Sequence, residues 1–157
     1  MEQQWITQTP HLRDFEALTE VWEASVRATH DFLPESYIVL LRQLVKTQYL
    51  DTVMLICCKD PINQRITGFA GIAANKVEML FIHPDYRGQG VGKCLLMSAI
   101  NEFNAKCLDV NEQNLQAIGF YLKQGFEVVG RCETDGMGQP FPLLHLRYQH
   151  PSRLPRA

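Results

Sequence analysis

The 157-residue chain is 46% hydrophobic and 20% charged with a net charge of −2, enough apolar content for a core in one domain and too little basic excess for nucleic acid as a main partner. Cys57, Cys58, Cys94, Cys107 and Cys132 are odd in number and lack CxxC spacing, so buried thiols are expected rather than a metal site or redox pair. The N-terminus has no basic and apolar leader pattern and no apolar run long enough to span a bilayer, so a cytoplasmic protein with no membrane partner is expected.

Residues 4–7 predict a short strand. Thr9 and Pro10 then supply an N-cap and first-turn proline for a helix whose Leu12, Phe15, Leu18, Trp22 and Val26 share one face. A second helix is expected over 35–48. The strands 52–58 and 65–73 flank a turn at Asp60-Pro61-Ile62-Asn63 and read as a hairpin. The strand 76–82 runs through Pro84 and a glycine-rich stretch into a helix over 90–103, with Val91, Leu95, Ala99 and Phe103 toward a core. A strand at 106–110 follows. After Asn114 comes a helix to about Gln124, closed by Gly125, then strands 127–133 and 141–148 around a turn at Asp135-Gly136. A disordered tail at 150–157 is expected, leaving 1–149 as one domain. The strand, helix, strand order over 76–110 favours a parallel central pair within a mixed sheet, and the fold class is α/β.

The segment from Val77 to Gly92 carries most of the chemistry. Gly88, Gly90 and Gly92 lack the Cβ atoms that would keep a ligand from the backbone, so successive N–H groups can converge on phosphate oxygens where the helix dipole is positive. An ordinary loop into a helix would look similar. A dinucleotide-binding reading has an acidic residue near the required spacing in Asp109, but expects its glycines after the first strand, not this late in the chain. A phosphate-loop reading lacks a closing Gly-Lys-Ser/Thr.

Arg87-Gly-Gln-Gly90-Val-Gly92 resembles the Arg/Gln-x-x-Gly-x-Gly/Ala motif of the GCN5-related N-acetyltransferase (GNAT) superfamily. The pattern through Asn114, Ala117, Phe120, Tyr121, Gly125 and Phe126 resembles its downstream signature. The likeness extends to about Tyr148, and the segments 28–33 and 138–143 look like the small bacterial YjaB-type members. It implies a single domain of about seven strands and four helices, with a splayed parallel strand pair at the centre. It also implies an acetyl-CoA-dependent transfer to a primary amine, either a protein lysine or a small molecule. A non-catalytic acyl-CoA binding or sensing module is the alternative. By the same resemblance, the backbone of Arg87, Gly88, Gln89, Gly90, Val91 and Gly92 holds the pyrophosphate and Arg87 adds charge. Leu80, Phe81 and Ile82 line the pantetheine arm, with an N–H near Leu80 polarising the acetyl carbonyl. A monomer or homodimer is implied.

Individual residues carry two readings each. Asn114 bonds the cofactor's arm, and is also a plain helix cap. Tyr121 protonates the departing thiolate by carry-over, while an aromatic pair with Phe120 is also ordinary core. Glu78 is the candidate base for an amine that is mostly protonated at neutral pH, or a solvent-facing strand residue. His30 lines the acceptor site or caps a helix end through its charge. His83 shapes a turn, and His145 is a bonded strand residue. Asp135 and Phe141, with Gln139, contact the acceptor or only build the last hairpin. No thiol pairs with a base at recognisable spacing, so direct attack is expected over a covalent acyl-enzyme.

Overall fold

The computed structural model describes residues 4–149. The expected disordered tail lies outside the described residues. Two compact units are present, one ending at Ala105 and one beginning at Lys106. Among the described residues, no helix is long and apolar enough to cross a membrane.

In the first unit, β1 (Thr7–Gln8), β2 (Met54–Lys59), β3 (Ile66–Ala73) and β4 (Lys76–Ile82) pair antiparallel in sequence order. The expected opening strand is displaced to Thr7–Gln8, and the Trp5 carbonyl accepts the Cys94 thiol rather than a strand partner. The first helix also begins later than Thr9-Pro10 suggests. His11 donates its N–H to Asp14 Oδ2 at 2.8 Å, and a short turn at Leu12–Asp14 leads into α1 (Phe15–Thr29). Leu12, expected on the buried face, is 77% exposed because it belongs to that turn. The true apolar stripe is Leu18, Val21, Trp22 and Val26, packed with Phe69, Leu55 and Met79 of the sheet. Burying each such side chain is worth roughly 1.5–3 kcal/mol.

The second helix, α2 (Glu35–Leu44), does not run regularly to residue 48. It loosens to a wider π-type turn over Val45–Tyr49 and tightens over Leu50–Thr52, which turns Val45 and Leu50 into the core. The β2–β3 hairpin forms as expected. Its turn is tied by Asp60 Oδ1, which accepts the Ile62 N–H at 2.8 Å. α3 (Val91–Phe103) buries Val91, Leu95, Leu96, Ala99 and Ile100 and ends with Asn104 in the left-handed region; Phe103 is only half-buried.

In the second unit, β5 (Cys107–Asn111) and β6 (Phe126–Cys132) both pair antiparallel with β7 (Leu143–Tyr148). α4 (Leu115–Lys123) joins β5 to β6. Gly125, at φ +107°, ends the connection, and a Cβ there would meet Tyr148 Cε1 at 3.2 Å. Seven strands and four α-helices are thus present among the described residues, and the class is α/β. The thiols depart from the expectation that all would be buried: Cys57 and Cys58 are, Cys94 and Cys107 are half-buried, and Cys132 is exposed on β6.

Candidate active site

β4 has an irregularity at its middle. Its register against β3 passes from Met79↔Gly71 to Val77↔Ile72 and skips Glu78. This is a bulge, which bends a strand and increases its twist. Gly71 sits at the shift, and a Cβ there would stand 2.7 Å from Val53 Cγ2, so the position has no room for a side chain. Val77 and Met79 are buried, while the Glu78 carboxylate is exposed and lies 3.3 Å from the Lys76 ammonium. Beyond the bulge, Leu80, Phe81 and Ile82 are half-buried, with Phe81 packed on Phe69 and Trp22.

The strand leaves the sheet through a tight turn. The His83 Nδ1 accepts the Asp85 N–H at 3.1 Å, and Pro84–Tyr86 forms a short helical turn, so His83 shapes the turn as its sequence position implies. The Arg87 N–H donates back to the Pro84 carbonyl at 3.4 Å, so that donor already serves the turn. Gly88 and Gly90 then adopt φ +72° and +88°, where other residues are strained. Gly90 is the cap residue of α3 and carries no side chain to cover the helix donors. The first helical bond is Cys94 N–H to Gly90 O at 3.0 Å. The amides of Val91, Gly92 and Lys93 therefore have no partner within the helix. A Cβ on Gly88 would meet nothing within 4 Å, and one on Gly90 only Trp5 Cδ1 at 4.0 Å. Bare amides, open space and a positive dipole end coincide, which is what an anionic diphosphate requires.

Sequence reasoning missed the residues that brace this turn. Trp5 donates its indole N–H to the Gln89 carbonyl at 2.8 Å, and the Cys94 thiol donates to the Trp5 carbonyl at 3.3 Å. Tyr86 meets Trp5 edge-on and donates its hydroxyl to Asp60 Oδ2 at 2.7 Å. No local pattern joins positions 84 residues apart.

His30 closes α1 as its C-cap and is 8% exposed. Its Nδ1 lies 2.7 Å from Thr29 Oγ1 and its ring packs against Phe32. Burial, and then the nearby Arg87 guanidinium, push its pKa down to about 4. The imidazole is thus neutral at neutral pH, and the charge–dipole cap reading does not apply.

The second unit holds the other predicted residues. Asn114 caps α4, its Oδ1 accepting the Ala117 N–H at 3.3 Å. Tyr121 is the buried residue of that short helix, meeting Phe120 and Phe126 edge-on. Burial raises its pKa above the ordinary phenol value, so it is protonated at neutral pH. Asp135 Oδ1 accepts the N–H groups of Met137 and Gln139, both at 2.9 Å, and Phe141 donates its N–H to Gln139 O at 2.7 Å. Both residues thus build the last loop. His145 pairs with Asp109 across β7 and β5 at 2.6 Å over Gly130, where a Cβ would meet the ring at 3.1 Å. Cys57 and Cys58 are poor nucleophiles, because burial pushes the first up to about 11 and the second further in the same direction.

A family model described as an acetyltransferase (GNAT) domain matches residues 51–128. The peptidyl-lysine N-acetyltransferase YjaB of Salmonella typhimurium is 42% identical over 133 residues, covering 85% of this chain and 90% of that protein. The chain belongs to the GNAT family. The solution structure of apo YjaB from Escherichia coli shares its fold with a TM-score of 0.85 and 38% identity, over 93% of this chain and 98% of that one. The PaiA N-acetyltransferase of Thermoplasma acidophilum, solved with coenzyme A, is similar in fold at a TM-score of 0.72 and 24% identity, over 94% of this chain and all of that one. As a GNAT enzyme the protein is an N-acetyltransferase with acetyl-CoA as donor, and the bare start of α3 fits that donor's diphosphate.

Proposed function

We propose that this GNAT enzyme acetylates lysine side chains of proteins by direct attack of the amine on the thioester. The observation that carries the transfer reading is the uncapped, glycine-led start of α3, with open space at Gly88 and Gly90. Lysine as acceptor rests on the peptidyl-lysine N-acetyltransferase YjaB to which the chain is similar. Acetyl-CoA supplies the acyl group. Gly88, Gln89, Gly90, Val91 and Gly92 offer backbone donors to its diphosphate, and Arg87 contributes its guanidinium. Leu80, Phe81 and Ile82, on the half of β4 that the bulge bends, line the pantetheine arm, and Asn114 bonds it. His30 lies on the acceptor side as a neutral group, with Asp135 and Phe141 as outer contacts.

In the transfer a C–N bond forms and the C–S bond breaks. Glu78 takes the proton that the amine must lose, directly or through water, and Tyr121 donates one to the departing thiolate. Five free thiols suit a reducing, cytoplasmic compartment. The test is a paired assay, in which acetyl-CoA binding is followed by calorimetry and CoA release is measured with lysine-bearing peptides and with polyamines. Peptide acetylation located on lysine by mass spectrometry is expected. Turnover on polyamines alone would move the acceptor to small amines, and binding without turnover on any amine would leave an acyl-CoA sensor.

A further inference from the structure

The peptide unit between Gln89 and Gly90 lies at the mouth of the cradle, and its orientation decides which way a donor points. Among the described residues there is no cis peptide bond, so the Gly90 N–H is directed opposite to the Gln89 carbonyl. That carbonyl accepts the Trp5 indole N–H at 2.8 Å. The indole therefore fixes the side that the carbonyl takes and leaves the amide on the opposite side. A loop with two left-handed glycines has many other conformations to visit, since glycine crosses between positive and negative φ at little cost. Holding one of them is an ordering task.

Trp5 is built to hold it. Its carbonyl accepts the Cys94 thiol at 3.3 Å from the first turn of α3, so one residue grips the loop on one side and the helix start on the other. Its ring meets Tyr86 edge-on at 6.3 Å between centroids. Tyr86 is in turn bonded to Asp60 in the β2–β3 turn. The segment is anchored just beyond, where Thr7 and Gln8 pair with Cys58 and Cys57 of β2 and Thr7 Oγ1 lies 3.4 Å from Ser98 Oγ of α3. The indole is thus tied to elements that do not share the loop's freedom.

We propose that Trp5 is a positioning residue for the diphosphate of acetyl-CoA: it fixes the Gln89–Gly90 peptide so that the Gly90 amide faces the cradle, and binding at the cradle is felt by its indole. The inference rests on the reading of the α3 start as the donor site. It assigns Trp5 to recognition of the nucleotide end of the donor and gives it no part in acyl transfer.

The experiment compares wild type with Trp5→Phe, which keeps an aromatic edge for Tyr86 and removes the hydrogen bond. One neutral hydrogen bond corresponds to about a fivefold change in affinity, so the Kd for CoA and the KM for acetyl-CoA should rise about fivefold, with kcat at saturation within about twofold. With S-acetylpantetheine, which has no diphosphate, wild type and variant should have the same kcat/KM. A general loosening of the fold would instead lower both donors' values together. The chain has two tryptophans, and Trp22 is buried in the core. Trp22 meets Phe81 of β4 edge-on, so the emission of Trp5→Phe reports only the pantetheine end, and CoA should change the emission of wild type by more than that of Trp5→Phe. Equal CoA affinity in the two proteins, equal losses with both donors, or a wild-type emission that saturating CoA changes no more than that of Trp5→Phe would each overturn the proposal. Failure of the wild type to bind CoA at all would instead overturn the reading of the donor site, and this proposal with it.

Discussion

α3 and α4 begin in opposite ways. α4 is capped by Asn114, whose Oδ1 covers the Ala117 amide, while α3 starts from a left-handed glycine that covers nothing. Packing explains why each can afford its start. α3 runs for 13 residues and buries Leu95, Leu96 and Ala99 completely, so its stability is supplied by the core and its first amides are dispensable for folding. α4 has 9 residues and buries Tyr121 alone among them, so a side-chain cap worth about 1 kcal/mol is a larger share of what holds it. An uncovered helix start on a well-packed helix is thus a signal of ligand binding, whereas a covered start on a short exposed helix serves the helix first.

The most direct way to break this contrast is to cover the open end. Gly90→Glu places a carboxylate where the diphosphate belongs, and like charges repel there. Acetyl-CoA affinity measured by calorimetry should fall at least a hundredfold. The fold should survive, because a Cβ at this position meets only Trp5 Cδ1 at 4.0 Å and a single left-handed residue costs roughly 1–2 kcal/mol. A Gly90→Glu protein that binds as well as wild type would show that the bare start is not the donor site.

The next substitution asks whether α4 is more than a support. Tyr121→Phe removes the hydroxyl and keeps the ring against Phe120 and Phe126. If the phenol is the acid, kcat should drop about a hundredfold, the low end of what a general acid supplies, with acetyl-CoA affinity unchanged. Full turnover would return Tyr121 to the core and leave the proton to water.

His30 sharpens the contrast from the side of Arg87. Its pKa is about 4 in the folded protein against an ordinary value of 6.5. Between those values the unfolded chain takes up a proton that the native state refuses. The stabilising effect of keeping His30 neutral is therefore complete above about pH 6.5 and is lost as the pH falls toward 4. Urea unfolding should show wild type losing roughly 2–3 kcal/mol more than His30→Gln between neutral pH and the low end of that window. Parallel losses in both proteins would mean that the imidazole is solvated and charged.

What was legible in the sequence follows the same division between local and distant causes. The bounds of β4, the entry into α3 and the Asn114 to Gly125 frame of α4 were readable, since each is set by alternation, glycine or a cap within a few residues. The start of α1 was not, because the Asp14 carboxylate turns back on the His11 amide and takes the cap from Thr9. The Glu78 bulge is a matter of register between β4 and β3, which the alternation along β4 alone does not reveal. The neutrality of His30 depends on burial and on Arg87. Trp5 acts on a loop 84 residues away. The donor motif could be recognised from its own spacing, but the parts that hold it in shape come from elsewhere in the chain.

The smallest expected effect lies at the covered end, where Asn114 is asked to serve two partners. Its Oδ1 is engaged by the Ala117 amide, so any bond to the cofactor's arm must come from the side-chain NH2. Asn114→Asp keeps an acceptor for the cap and removes that donor, while Asn114→Ala removes both. The Asp variant should match wild type in thermal stability and bind acetyl-CoA a few-fold more weakly. The Ala variant should show the same binding loss and in addition lose about 1 kcal/mol of stability. If the Asp variant binds acetyl-CoA as wild type does, the side chain belongs to the helix alone, and the arm is held by backbone without it.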